Sequence, residues 1–170
     1  PTVDIPDTGF SVVFWFRYHG LERVDRDGHK RSTGGVMAVG SGWWDGWRIA
    51  VSPDSGGLTF SVGRPEVGAA SVSAHGAVAD GKWHHVACTW DGSLGRIRVD
   101  GVVESEGDLR PLYTVPTSTK QLRFGECSYG LGVMDFEIAD TGIFGSVLPD
   151  DLLTTLGNPR GVLEAALAKR

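Results

Sequence analysis

The chain has little of what most often carries covalent or metal chemistry. It holds two cysteines, Cys88 and Cys127, in 170 residues. That number permits one disulfide or two thiols, and no CxxC pair is present. Two buried thiols are expected, since an unpaired Cys behaves as a small core hydrophobe. The single asparagine, Asn158, is followed by Pro159 and Arg160, so there is no N-glycosylation acceptor. No apolar run approaches the roughly 20 residues of a membrane-spanning helix, so no membrane insertion is expected. Excess positive charge is also missing. A net charge of -5 with a pI near 5.5 argues against a nucleic-acid partner, whose phosphates call for clustered Lys and Arg. There is no P-loop and no Ser-His-Asp order. The sequence opens Pro-Thr-Val, with neither an initiator Met nor a signal peptide, and reads as a segment of something longer.

What remains is an ordinary globular composition, 41% hydrophobic and 22% charged, in a chain long enough for one domain with a full core. Residues 83–101, WHHVACTWDGSLGRIRVDG, organise the rest. Val86, Cys88 and Trp90 alternate with Ala87 and Thr89, the two-residue period of a strand with one face in a core. Asp91-Gly92-Ser93 supplies a reversal, Ile97 and Val99 resume the alternation, and Asp100-Gly101 turns the chain again. The result is a three-stranded β-meander. Upstream, Phe10 to Tyr18 carries Phe10, Val12, Phe14 and Phe16 on one face and Val13 and Trp15 on the other, the pattern of a central strand covered on both sides. Further short strands are expected at Val3 to Ile5, Gly35 to Val39, Trp47 to Val51, Gly57 to Val62, Ala70 to Ser73, Gln121 to Gly125 and Val133 to Phe144. Their regular spacing predicts an all-β antiparallel sandwich. Gly20 to Gly34 is charged and without period, an exposed loop. One short helix is expected near 148–156, with Pro149 in its first turn, Asp150 and Asp151 at its positive end, and Gly157 and Pro159 stopping it. The sandwich then occupies 1–157, and 158–170 forms a helical tail or linker.

W-H-H-V-A-x-T-W-D-G followed by V-D-G resembles the central hairpin of laminin G-like domains, members of the concanavalin A-like lectin group. Val3-Asp4-Ile5, Pro6-Asp7 and Phe10 to Phe16 are similar to the opening of that pattern. Phe136 to Phe144 with Leu148 to Leu152 resembles its closing segment, with Phe136 where the pattern has Gly. One strand that the family usually places upstream is missing, so the segment starts late or the role is filled elsewhere. The resemblance covers Val3 to about Leu156. It implies a jelly-roll sandwich, an extracellular or cell-surface setting and a binding role; such motifs specify a fold better than a ligand. Pentraxin-like features are weaker. Cys88 matches the pentraxin half-cystine, but the strand at Val12 to Phe16 lacks its partner, and of the calcium-holding segment only Glu126 remains.

Three constellations could carry chemistry. Trp43-Trp44-Asp45-Gly46-Trp47 puts three indoles in a glycine-flanked turn, and flat aromatic faces stack on sugar rings. Trp47 precedes an alternating strand and belongs to the core. Trp43, Trp44 and Asp45 are the expected ligand contacts, with Tyr129 of the SYGLG segment as a second aromatic. The alternative is packing at the sandwich edge. Asp25-Arg26-Asp27-Gly28 resembles the first half of a calcium loop without its later bidentate Glu. Asp25, Asp27 and Glu126 are therefore candidate Ca2+ ligands against a solvated turn, and no cofactor is required. Asp135, Glu137 and Asp140 mimic the acid spacing of concanavalin A-like glucanases with the acids swapped, a remote alternative beside a structural closing strand. His84 and His85 are adjacent on a strand and face opposite ways, so they form no two-His ligand pair. The expected function is a non-catalytic recognition module for a glycan or surface polysaccharide. A structural or protein-interaction module is the competing class.

Overall fold

The structure, a computed structural model, describes residues 2–3, 8–20, 34–40, 46–52, 55–64, 68–110, 120–125 and 135–158. In chain order the strands are β1 (Thr2–Val3), β2 (Phe10–Tyr18), β3 (Gly34–Val39), β4 (Trp47–Val51), β5 (Leu58–Arg64), β6 (Gly68–Ala74), β7 (Trp83–Trp90), β8 (Leu94–Val99), β9 (Val102–Asp108), β10 (Lys120–Phe124) and β11 (Phe136–Phe144). One helix, α1 (Asp150–Leu156), follows.

They form two antiparallel sheets. The six-stranded sheet has the order β1-β10-β3-β4-β5-β6, and the five-stranded sheet the order β11-β2-β7-β8-β9. The predicted meander is β7-β8-β9, and β2 lies between β11 and β7 as its two-sided apolar pattern requires. Phe10, Val12, Phe14, Phe16 and Tyr18 of β2 point inward and are each at most 3% exposed. Between the sheets, Phe10 stacks on Trp47 at 5.7 Å and lies as far from Trp90, while Phe60 meets it edge-on at 6.0 Å. Such aromatic pairs add to the burial that holds a sandwich closed.

The other face of the five-stranded sheet is covered only in part. After β11 the chain crosses this outer face, where Ser11 Oγ donates to the Ser146 carbonyl and accepts from the Leu148 amide. The helix then docks over β7 and β8, with Leu153 against Val13 and Ala87. It starts at Asp150, later than the sequence suggests: Pro149, with φ -58° and ψ 144°, is the residue before the helix rather than part of its first turn. Arg98 of β8, nearly buried, reaches up to Asp150 at 2.8 Å. Gly101 allows the close approach, because a Cβ there would stand 2.9 Å from the Thr154 carbonyl oxygen.

Cys88 is a fully buried free thiol between the sheets, as expected, and burial pushes its pKa far up. Cys127 lies outside the described residues.

Candidate functional site

The register of the five-stranded sheet sets Glu137 of β11 opposite Arg17 of β2, and Arg17 opposite Trp83 of β7. All three fall on the outer face, since Phe16 and Val86 on the same strands point inward. Trp83 is 41% exposed, an uncommon state for an indole held on a strand in the middle of a sheet. Polar groups surround it. Arg17 Nε donates to the Gly81 carbonyl at 2.9 Å, fixing the chain just before Trp83. Arg17 Nη1 lies 3.4 Å and His19 Nε2 3.2 Å from the same oxygen of Glu137. One row inward, Trp15 meets the buried His85 ring edge-on at 5.5 Å.

Beside this row, His84 is clasped by two carboxylates. Its Nε2 lies 2.9 Å from Asp80 Oδ1 and its Nδ1 2.8 Å from Asp100 Oδ2. Asp100 occupies left-handed backbone at φ 52°, held there because its Oδ1 accepts the His85 amide at 2.9 Å while its own amide donates to the His85 carbonyl. Lys82 Nζ completes the cluster at 2.8 Å from Asp80 Oδ2. Burial opposes the charged form of His84, but hydrogen bonds and charges from Asp80 and Asp100 outweigh it and raise its pKa. His85 moves the other way, lowered by burial. The Lys82 and His84 hydrogen bonds hold Asp80 well below the usual carboxylate range. Among the described residues no three such groups are placed to share a metal ion, and the two aspartates approach opposite nitrogens of His84.

Trp43, Trp44 and Asp45, Tyr129, and the candidate Ca2+ ligands Asp25, Asp27 and Glu126 all lie outside the described residues. The described residues that flank them divide between the two ends of the sandwich. Val39 and Trp47, opposite each other across β3 and β4, flank the segment with Trp43 to Asp45 at the end where Phe10 lies. Gly20 and Gly34, and Gly125 and Asp135, flank the others at the Trp83 end: the His19 amide donates to the Asp135 carbonyl, and the Gly125 amide to Val36 near the start of β3. The glucanase-like acids are all described, with Asp135 exposed just before β11. Glu137 is bonded to Arg17 and His19, and Asp140 sits at the register shift of the outermost strand β11 with φ 48°.

Sequence reasoning treated 83–101 as frame only and passed over Trp83, Arg17, His19, Asp80 and Lys82. The signal was present: with Val86, Cys88 and Trp90 inward, strand alternation turns Trp83 outward.

The profile of the concanavalin A-like lectin/glucanases superfamily matches residues 1–152, and the chain belongs to that superfamily. Among solved structures, the binding domain of botulinum neurotoxin DC in complex with SialylT is similar at a TM-score of 0.67 and 19% identity, covering 89% of this chain and 35% of that one. The botulinum neurotoxin serotype C1 binding domain gives 0.64 at 18%, covering 89% and 36%. The neurotoxin DC binding domain in complex with rat synaptotagmin II gives 0.63 at 17%, again covering 89% and 36%. At these identities the likeness concerns the fold, and this chain spans about a third of each of those chains. No curated protein matches the sequence.

Proposed function

We propose that the chain is a non-catalytic recognition module for carbohydrate, part of a larger extracellular or cell-surface protein. The observation that carries this reading is Trp83: an exposed indole on a fixed strand, flanked by guanidinium and carboxylate groups that can hydrogen-bond sugar hydroxyls while the ring stacks on C-H faces. Membership of a lectin-containing superfamily supports it, as does a neighbour solved with SialylT. The same kinship supports an extracellular setting. A non-catalytic role is favoured because Glu137, in place of facing a second carboxylate, is tied up by Arg17 and His19. Trp43 and Trp44, with the carboxylate of Asp45, are proposed as a further ligand contact, and Tyr129 as a second aromatic one. Ca2+ bound through Asp25, Asp27 and Glu126 would serve to order loops.

A glycan array tests this with the wild type, Trp83→Ala and the double variant Trp43→Ala/Trp44→Ala. Binding that Trp83→Ala abolishes supports the reading; an array blank for the wild type, or unchanged by every variant, overturns it. The alternative, a protein-docking module, is favoured by Val102 and Val103, 60% and 42% exposed on the outermost strand β9. Tryptophan emission that no sugar shifts would speak for it.

A further inference from the structure

Resting on the reading of Trp83 as a ligand contact, we infer that its site is gated by a proton: it is held in binding form while both ring nitrogens of His84 carry hydrogen, and it loosens when one hydrogen is lost. The start of β7 is weakly paired. From Val86 onward β7 lies between β2 and β8, but over Trp83, His84 and His85 only β2 continues the ladder. On the other side the Asp100 turn stands in for β8, its amide donating to the His85 carbonyl and its Oδ1 accepting from the His85 amide. Ahead of Trp83 the chain depends on side chains: Arg17 holds the Gly81 carbonyl, and Asp80 Oδ1 accepts from the Lys82 amide at 2.9 Å. His84 joins the two halves. Its ring bridges Asp80 and Asp100, and the contact with Asp80 closes the segment 80–84, with Trp83 inside it, into a loop.

Each ring nitrogen of His84 faces a carboxylate oxygen, and only the doubly protonated ring donates to both. Among the described residues, the charged groups that face it are Asp80, with Lys82 on that carboxylate, and Asp100. Two carboxylates against one ammonium leave a place for a second positive charge, which His84 supplies. The other neighbours add none: Phe16 lies opposite on β2, Thr154 and Gly157 of the α1 region abut the Asp100–Gly101 turn, and His85, whose neutral form burial favours, packs against Trp15. Against its burial, the bonds to Asp80 and Asp100 raise the pKa of His84 above its ordinary 6.5.

When pH rises through that value the proton leaves to water, and one nitrogen turns a lone pair toward a carboxylate. Asp100 cannot retreat, because its side chain and its amide are both bonded to His85. Asp80 can, because Lys82 offers it an amide and an ammonium without His84. The remaining hydrogen therefore stays on Nδ1, toward Asp100, and the Nε2 contact with Asp80 opens. The segment ahead of Trp83 is then released from β7, and the indole loses the preset position that makes stacking favourable.

Nuclear magnetic resonance of the isotope-labelled full chain tests this without a ligand. Between about pH 5 and about pH 9 the Trp83 indole N–H signal should move with the same midpoint as the His84 ring nitrogens, above 6.5, and neutral His84 should keep its hydrogen on Nδ1. His84→Gln should leave the Trp83 signal flat across that range. As a second variant, Asp80→Asn keeps an oxygen for the Lys82 amide but not the charge, and should lower the His84 midpoint; melting curves report that both remain folded. Glycans that the wild type binds on an array should be bound about tenfold more weakly at the alkaline end, and His84→Gln should lose that dependence. A Trp83 signal that stays still, or that follows His85 or His19 instead, overturns the gate and leaves the carbohydrate reading standing. Glycan binding of equal strength at both ends does the same. An array blank at both ends overturns the carbohydrate reading, and the indole signal then decides the gate by itself.

Discussion

The Nδ1 of His84 lies 2.8 Å from Oδ2 of Asp100, a bond that ties the first strand of the meander to the turn joining the other two. The other carboxylate oxygen of Asp100 holds the neighbouring amide, that of His85. One side chain thus secures both its own left-handed backbone and the start of β7, where Trp83 stands.

The clasp makes stability depend on pH with a definite sign. His84 titrates higher in the folded chain than its ordinary 6.5, so its contribution is complete below about pH 6.5 and is lost as pH rises through the folded value. The melting-temperature difference between wild type and His84→Gln should therefore be larger at mildly acidic than at alkaline pH. His85 acts oppositely: its depressed pKa gives a contribution present above 6.5 and lost as pH falls through the folded value. A difference for His84→Gln that grows on the alkaline side would rule the clasp out.

Trp47 and Trp83 separate packing from binding. Trp47 is 1% exposed and stacked on Phe10, so Trp47→Ala should cost about 3–5 kcal/mol in denaturant unfolding. Trp83→Ala removes an indole 41% exposed and should cost about 1 kcal/mol or less while removing ligand affinity. Equal losses of stability would make Trp83 a packing residue.

Gly46, just before β4, has φ +72°, and a Cβ there would come within 1.9 Å of the Val39 carbonyl oxygen. Gly46→Ala combines strain with a backbone clash and should destabilise by about 1–3 kcal/mol, read as a lower denaturation midpoint at unchanged slope.

Cys88 should stay unmodified by a soluble alkylating reagent in the native state. It is fully buried and its thiolate is strongly disfavoured, so its labelling, followed by peptide mass spectrometry, should track unfolding. Rapid labelling without unfolding would show that the sandwich opens locally at β7.

Local rules carried most of the fold. Phe10 to Tyr18 and Trp47 to Val51 appear with the bounds that their patterns predict, because a slip of one residue would take their large inward side chains out of the space between the sheets. Less legible was what depends on partners distant in sequence: β10 inserts between β1 and β3, a placement that no local pattern encodes. The helix starts later than expected for a related reason, since Pro149 suits either side of a helix boundary and its extended backbone here belongs to the crossing segment. Glycine and tryptophan coincide in turns, whereas the most exposed indole among the described residues, Trp83, is the first residue of a core strand. Its environment comes from Arg17 and Glu137 on two other strands, which only the register brings beside it.

That register also bears on how the chain comes to be made. Ser11 and Ser146 are bonded across 135 residues, and β2 has β11 as its neighbour on one side. During synthesis β2, an apolar strand, emerges long before β11 and keeps one edge bare until β11 has left the ribosome. Closure of the five-stranded sheet is therefore a late step, dominated by long-range pairing and slow for that reason. Nascent chains stalled before Phe136 should expose that edge to chaperones, and chains released beyond Leu156 should not.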